Sequence, residues 1–254
     1  MILSSYKQTQ LVIWTNQILF VVSIFCFYEH WMIPWIFISM YLFGFMSESS
    51  LHRYYTHRSY ETTDNKEKLL RIFAFLTGQG PILSWVTVHR THHAFEDTDR
   101  DSHSPYHLSW WKIYLALLPS NYKNNLILDL IRLKGKNYYV FENKYYFYLW
   151  ILLWVSSYLI YFEIFFVIVS GSAIWYIGTC LVNIIAHTRG KKNFHEAVAY
   201  NNMLVNMLTG VGHHNNHHKF PRNYTYSVDK EIDIYAFGIR KIFMLSEANP
   251  DLKT

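Results

Sequence analysis

The sequence predicts an all-α integral membrane protein: four transmembrane helices in two tight hairpins, with a cytoplasmic helical cap that holds a histidine-rich dimetal site. Three observations predict it. Four runs, 11–27, 31–47, 145–162 and 164–186, contain no Asp, Glu, Lys, Arg or His. Lysine and arginine concentrate in the two segments that separate and follow these pairs, and most of the 14 histidines lie in the same two segments. Composition agrees, since 51% apolar and 19% aromatic residues in 254 is high for a soluble domain, while a mean hydropathy of +0.01 averages two unlike populations.

At about 1.5 Å of rise per residue, such runs reach across roughly 30 Å of hydrocarbon. The spans are placed at about 11–27, 31–50, 145–162 and 164–186. Tyr28, Glu29 and His30 alone separate the first pair, and Glu163 alone interrupts the second, so each pair must turn sharply. The tips carry no Lys or Arg, whereas 51–143 holds twelve and 187–254 holds nine. The positive-inside rule puts both segments and both termini in the cytoplasm, and it accounts for a pI near 9.0 without nucleic acid. No linker or repeat divides 1–254, which reads as a single domain.

MILSSYKQTQ lacks the small-residue cleavage site of a secretory signal, so the apolar run after it is expected to remain in the mature protein. Cys26 and Cys180 lie in apolar runs and read as packing residues. The stretch 68–88 tempts a fifth span, but Arg71 and the break Gly78-Gln79-Gly80-Pro81 argue for an interfacial segment, as do the Trp and basic flanks of 110–118 and 124–136.

Histidines fall in four groups: LHRYYTHRSY with His52 and His57; VHRTHHAFEDTDRDSHSP with His89, His92 and His93; NIIAH with Asn183 and His187; and HHNNHHKFP with His214, His217 and His218. Residues three and four apart on a helix share a face, so each of the last three groups aims its side chains together. His52 and His57, five apart, differ by about 140° on an α-helix; they serve two centres, or one centre through a distorted turn. Imidazole suits Fe, Zn, Cu and Ni, and about nine exceed what one ion can use, so two ions are implied. Glu96, Asp97, Asp99 and Asp101 stand where carboxylates could accept the second ring N–H of ligating histidines.

HRYYTHRSY, WVTVHRTHHAFEDTDRDSHSP, NIIAH and HNNHHKFP, with a downstream EIDIYAFGIRKI, resemble the histidine boxes and final helix of the membrane fatty acid desaturases, most closely the acyl-CoA delta-9 (stearoyl-CoA) type and its bacterial relatives. The resemblance runs from about residue 48 to 245. It implies that His52, His57, His89, His92, His93, His187, His214, His217 and His218 hold two irons, with Asn183 contacting one through water. It also implies oxygen-dependent insertion of a cis double bond into an acyl chain carried by coenzyme A, acyl carrier protein or lipid. Zinc lacks the redox chemistry for that step. Electrons are expected from ferredoxin or from cytochrome b5 with a reductase, since the chain has no room for an appended cytochrome. Val211 and His213 stand where the family often has an acidic and an aromatic residue, and Ser84 where animal enzymes have Asp, departures that bear on the acyl carrier.

Trp85 and Arg71 are candidate substrate contacts, with Arg132 and Lys136 as further head-group candidates. Trp110 and Trp111 read as interface anchors, and His30, His103, His107, His195 and His213 as non-ligands. A related lipid hydroxylase is the near alternative. A metal transporter or haem-binding membrane protein is the distant one, disfavoured because transporters place ionisable ligands near mid-membrane and these runs have none.

Overall fold

The computed structural model describes residues 4–117, 133 and 136–247. Four long helices form the body: α1 (Ser5–Phe27), α2 (Met32–Ser47), then α6 (Lys136–Ile160) and α7 (Phe162–Leu181). Between and after them lie α3 (Asp64–Leu76), α4 (Ile82–Ala94), α5 (Trp110–Tyr114), α8 (Met203–Thr209), α9 (His214–Lys219) and α10 (Ile234–Ile242). The expectation of an all-α chain holds, apart from a ladder in which Tyr60 and Glu61 pair antiparallel with Glu247 and Ser246.

The helices overrun the uncharged stretches because an uncharged stretch marks what tolerates hydrocarbon, whereas a helix ends where its backbone is capped. The α1 helix begins at Ser5, where the Ser4 hydroxyl accepts from the Lys7 N–H, and α6 begins nine residues before Tyr145. The second hairpin breaks at Tyr161, not at Glu163. Glu163 sits in the first turn of α7, where a carboxylate favours the helix dipole.

Helix α7 is the hub, packed on α1, α2 and α6. Polar side chains bind the bundle internally: Asn16 donates to Ser172 Oγ at 2.9 Å and accepts from Trp154 Nε1 at 2.9 Å, and Trp35 Nε1 donates to Ser170 Oγ at 2.8 Å. Such bonds suit a low-dielectric interior. The outer faces are apolar instead, with Phe25 84%, Phe37 70%, Leu152 65% and Leu159 76% exposed. Cys26 lies on that outer face rather than in the packing, while Cys180 is buried. Two helical stretches, Ser5–Phe27 and Phe162–Ala186, are long and apolar enough to cross a membrane.

Helices α3 and α4 are joined where the break was expected. Gly78 and Gly80 take φ of +70° and +117°, values a side chain resists, and Pro81 opens α4. The α4 first turn is core rather than surface, since Ile82, Leu83 and Val86 are buried, whereas Leu69 and Ile72 of α3 and Trp110 and Trp111 of α5 are exposed. Arg132 and most of the stretch 124–136, together with Leu118, fall outside the described residues, as does the side chain of Lys136.

Candidate metal centre

The second and the fourth of the long helices, α2 and α7, both end by widening. Past Ser47, α2 continues as the π-helix π1 (Glu48–Thr56), and past Leu181, α7 continues as π2 (Val182–Ala186). A π-turn closes its hydrogen bond five residues apart, and in π1 the His57 N–H donates to the His52 carbonyl at 3.1 Å. One wide turn therefore brings His52 and His57 together edge to face, their ring centroids 4.8 Å apart. Of the two alternatives the spacing left open, the distorted turn is the one built.

The histidines sort into two groups whose ligand atoms all lie within 4.8 Å of one another: His52, His57, His89, His93 and His217 in one, His92, His187, His214 and His218 in the other. Helix α4 serves both. Its i,i+4 pair, His89 and His93, faces the group of five, and His92 turns to the group of four. Helix α9 reverses the allotment, giving its i,i+4 pair, His214 and His218, to the group of four and His217 to the five. So neither triplet aims at one point, as the shared-face argument implied. The groups adjoin at His93 and His218, whose rings stack 4.3 Å apart.

The inward atoms have the spacing of ligands on a shared cation. His89 Nε2 lies 2.8, 3.1 and 3.2 Å from Nε2 of His52, His57 and His93, and His93 Nε2 lies 3.0 Å from that of His217. In the group of four, His214 Nε2 is 2.9 Å from His187 Nε2 and 3.0 Å from His218 Nε2. One ring nitrogen has either one proton or one lone pair, so three such contacts cannot all be hydrogen bonds. Two imidazoles at right angles on an ion about 2.0–2.1 Å away would stand about 3 Å apart. His92 Nε2, buried without a hydrogen-bond partner among the described residues, completes the donor set.

Burial holds seven of the nine rings in the neutral form that a metal requires. It pushes His57, His89, His92, His214, His217 and His218 well below the usual imidazole range, and His93 down to about 3, with neighbouring imidazoles adding to the effect.

Carboxylates hold several outer ring nitrogens. Asp101 Oδ2 accepts from His92 Nδ1 at 2.7 Å and Asp97 Oδ2 from His187 Nδ1 at 3.0 Å. Glu96 Oε1 lies 2.9 Å from His218 Nδ1, off the line of a good hydrogen bond, and also accepts from the Ala199 N–H. Asp99, the fourth member of that acidic run, is exposed and stands outside these groups. Sequence reasoning missed Glu48, whose Oε2 lies 3.1 Å from His52 Nδ1 and accepts from Arg53 and from the Tyr226 hydroxyl at 3.2 and 2.8 Å. Its position four residues before His52 was the available signal.

A cavity with about 1130 Å³ of atom-free space, part of it open to solvent, runs beneath His52, His89 and His214. Ile13, Ala116, Val182 and Val211 give it an apolar wall, and Asn183, Trp85 and His103 also line it. Trp85 stacks on His89 at 4.8 Å and donates to Gln79 Oε1 at 3.1 Å; Gln79 in turn donates to Thr179 at 2.7 Å. Arg71 is elsewhere, bonded to Glu67 at 3.0 Å and laid over Tyr138 and Tyr139. His30, His107 and His195 are exposed. His103 is buried against His92, and His213 lies 3.7 Å from Glu231, both outside the groups of five and four.

Residues 29–230 match the family profile described as fatty acid desaturase. The chain is 30% identical over 225 residues to "Delta-9 acyl-lipid desaturase 2" of Arabidopsis thaliana, covering 84% of this chain and 73% of that protein. It is 33% identical over 183 residues to "Delta-9 desaturase-like 2 protein" of the same plant, covering 67% and 60%. It is 27% identical over 203 residues to "Stearoyl-CoA desaturase" of Capra hircus, covering 70% and 54%. The matches thus span between about half and three quarters of these relatives' lengths.

Proposed function

The chain belongs to the fatty acid desaturase family, and from that premise we propose that it is an oxygen-dependent fatty acyl desaturase, forming a cis double bond at delta-9 in a saturated chain with two iron ions. The observation that carries this reading is the pair of imidazole groups set over one apolar cavity. The balance is one –CH2–CH2– unit, one dioxygen, two electrons and two protons giving –CH=CH– and two waters. Iron supplies the oxidant that no side chain can provide. The electrons come from ferredoxin, or from cytochrome b5 with its reductase.

The nine histidines would hold the two ions, with Asn183 on π2 contacting one of them through water. The acyl chain lies along the Ile13, Ala116 and Val182 wall, where burial excludes water. Trp85, fixed by its stack on His89 and its bond to Gln79, holds the chain against the imidazoles. Asp97, Asp101, Glu96 and Glu48 orient the rings. Arg71, engaged by Glu67, does not line the cavity.

Four spans with a cytoplasmic cap fit the exposed apolar faces of α1, α2 and α6 and the Lys/Arg distribution. Relatives named for acyl-lipid and for stearoyl-CoA leave coenzyme A, acyl carrier protein and lipid as carriers to compare. A hydroxylase is the second reading, since the same oxidant can return oxygen to the carbon. Expression in a host followed by gas chromatography of total fatty acids tests both: a new monounsaturated chain is expected, and hydroxy acids in its place would overturn desaturation.

A further inference from the structure

The two imidazole groups differ in what stands behind them. In the group of four, three rings face carboxylates: His92 faces Asp101, His187 faces Asp97 and His218 faces Glu96, at 2.7, 3.0 and 2.9 Å. In the group of five, among the described residues, His52 alone faces one, Glu48. That carboxylate is shared, its Oε2 being 3.2 Å from the Arg53 guanidinium, which Asp233 flanks at 3.0 Å on its other side. Arg90, bonded to the Tyr55 and Thr56 carbonyls at 3.3 and 3.0 Å, adds positive charge beside His57. Asp101 is 1% exposed, so solvent screens its charge little.

A carboxylate that accepts the outer N–H of a ligating imidazole raises the ring's basicity and places negative charge near the ion. Both effects favour the more highly charged oxidation state. A fifth imidazole donates electrons to its ion but brings no charge, so it does not cancel three anionic neighbours. Resting on the diiron reading above, we infer that the two metal positions are electronically unequal: the pocket of His92, His187, His214 and His218 keeps its iron ferric more firmly, and the first electron enters the pocket of five. The balance is simple. Each one-electron step converts one ferric ion to ferrous, the electron coming from an external one-electron donor, with no bond made or broken in the protein.

The consequence is a built-in order of reduction, set by Asp97, Asp101 and Glu96. The test is an anaerobic titration of the iron-loaded full chain in detergent with dithionite through a redox mediator, with Mössbauer spectra of enriched iron at each stage. Two separate one-electron steps are expected. Asp101→Asn and Asp97→Asn should each lower the ferric preference of the four-histidine pocket by about tenfold, raising the lower-potential step by about 59 mV for a one-electron couple, and leave the upper step in place. Glu48→Gln should move only the upper step. Should Asp101→Asn not fold, Asp97→Asn and Glu96→Gln carry the same measurement. Coincident steps in the parent protein, or carboxylate variants of the four-histidine pocket that move the upper step, overturn the inference while leaving the diiron reading in place. A chain that retains no iron overturns the diiron reading, and this inference with it.

Discussion

The turns π1 and π2 make the same local change at the ends of α2 and α7, yet they deliver different things. Nine residues long, π1 brings two imidazoles, His52 and His57, to one pocket. The five-residue π2 brings one imidazole, His187, and sets Asn183 in the cavity wall. Five residues before His57 stands His52, whereas five before His187 stands Val182, so the second wide turn has one imidazole to supply. The pocket served by the shorter turn has one imidazole fewer and three carboxylates behind it, where the other has one.

Substitutions can break or sharpen that contrast. The largest effect is expected at the pocket of five: His57→Ala or His217→Ala should lower desaturation by about a thousandfold or more, with one iron lost and membrane insertion unchanged, as read by metal analysis and fatty acid profile. Next comes a buried carboxylate remote from both turns, as a control. Glu142 on α6 accepts from the Ile82 N–H at 3.2 Å, and burial pushes its carboxyl up to about 8 from 4.5. Between those pH values the folded state binds a proton that the unfolded state has released, so stability falls as pH rises through the window. Glu142→Gln should remove that dependence and stabilise the protein at pH 7 by on the order of 3 kcal/mol, read by thermal unfolding across pH 5 to 8, with iron content unchanged.

Smaller is Asn183→Ala, expected to cost about tenfold in activity while both irons stay bound; loss of an iron would make π2 the equal of π1. Smallest is Tyr226→Phe, which removes the hydroxyl that donates to Glu48 and should cost about 1 kcal/mol in unfolding free energy with little change in iron content.

Much of this was legible in the sequence because hydrophobic runs and helical spacing are local properties. The uncharged runs marked all four long helices, and the histidine groups named every member of both pockets. The partition was not legible. Applying α-helical periodicity to His52 and His57 gave divergent directions, since nothing local announces a π-turn. The shared-face rule also grouped His92 with His89 and His93, although one ring of each triplet crosses to the other pocket. Tyr226 reaches Glu48 and His52 across 178 and 174 residues of chain, contacts that spacing cannot show. Asp99 looked equivalent to Asp97 and Asp101, but the turn that carries them leaves it outside.

The short ladder between Tyr60–Glu61 and Ser246–Glu247 has a consequence for biosynthesis. It fastens the strand that leaves π1 to a segment made almost two hundred residues later, and Thr62 reinforces the clasp by donating to the Phe243 carbonyl at 2.7 Å. On the ribosome, the first histidine pair therefore emerges long before its clasp or its ligand partners exist. Under the diiron reading, an ion delivered before residues 187–218 are made would meet half-built pockets.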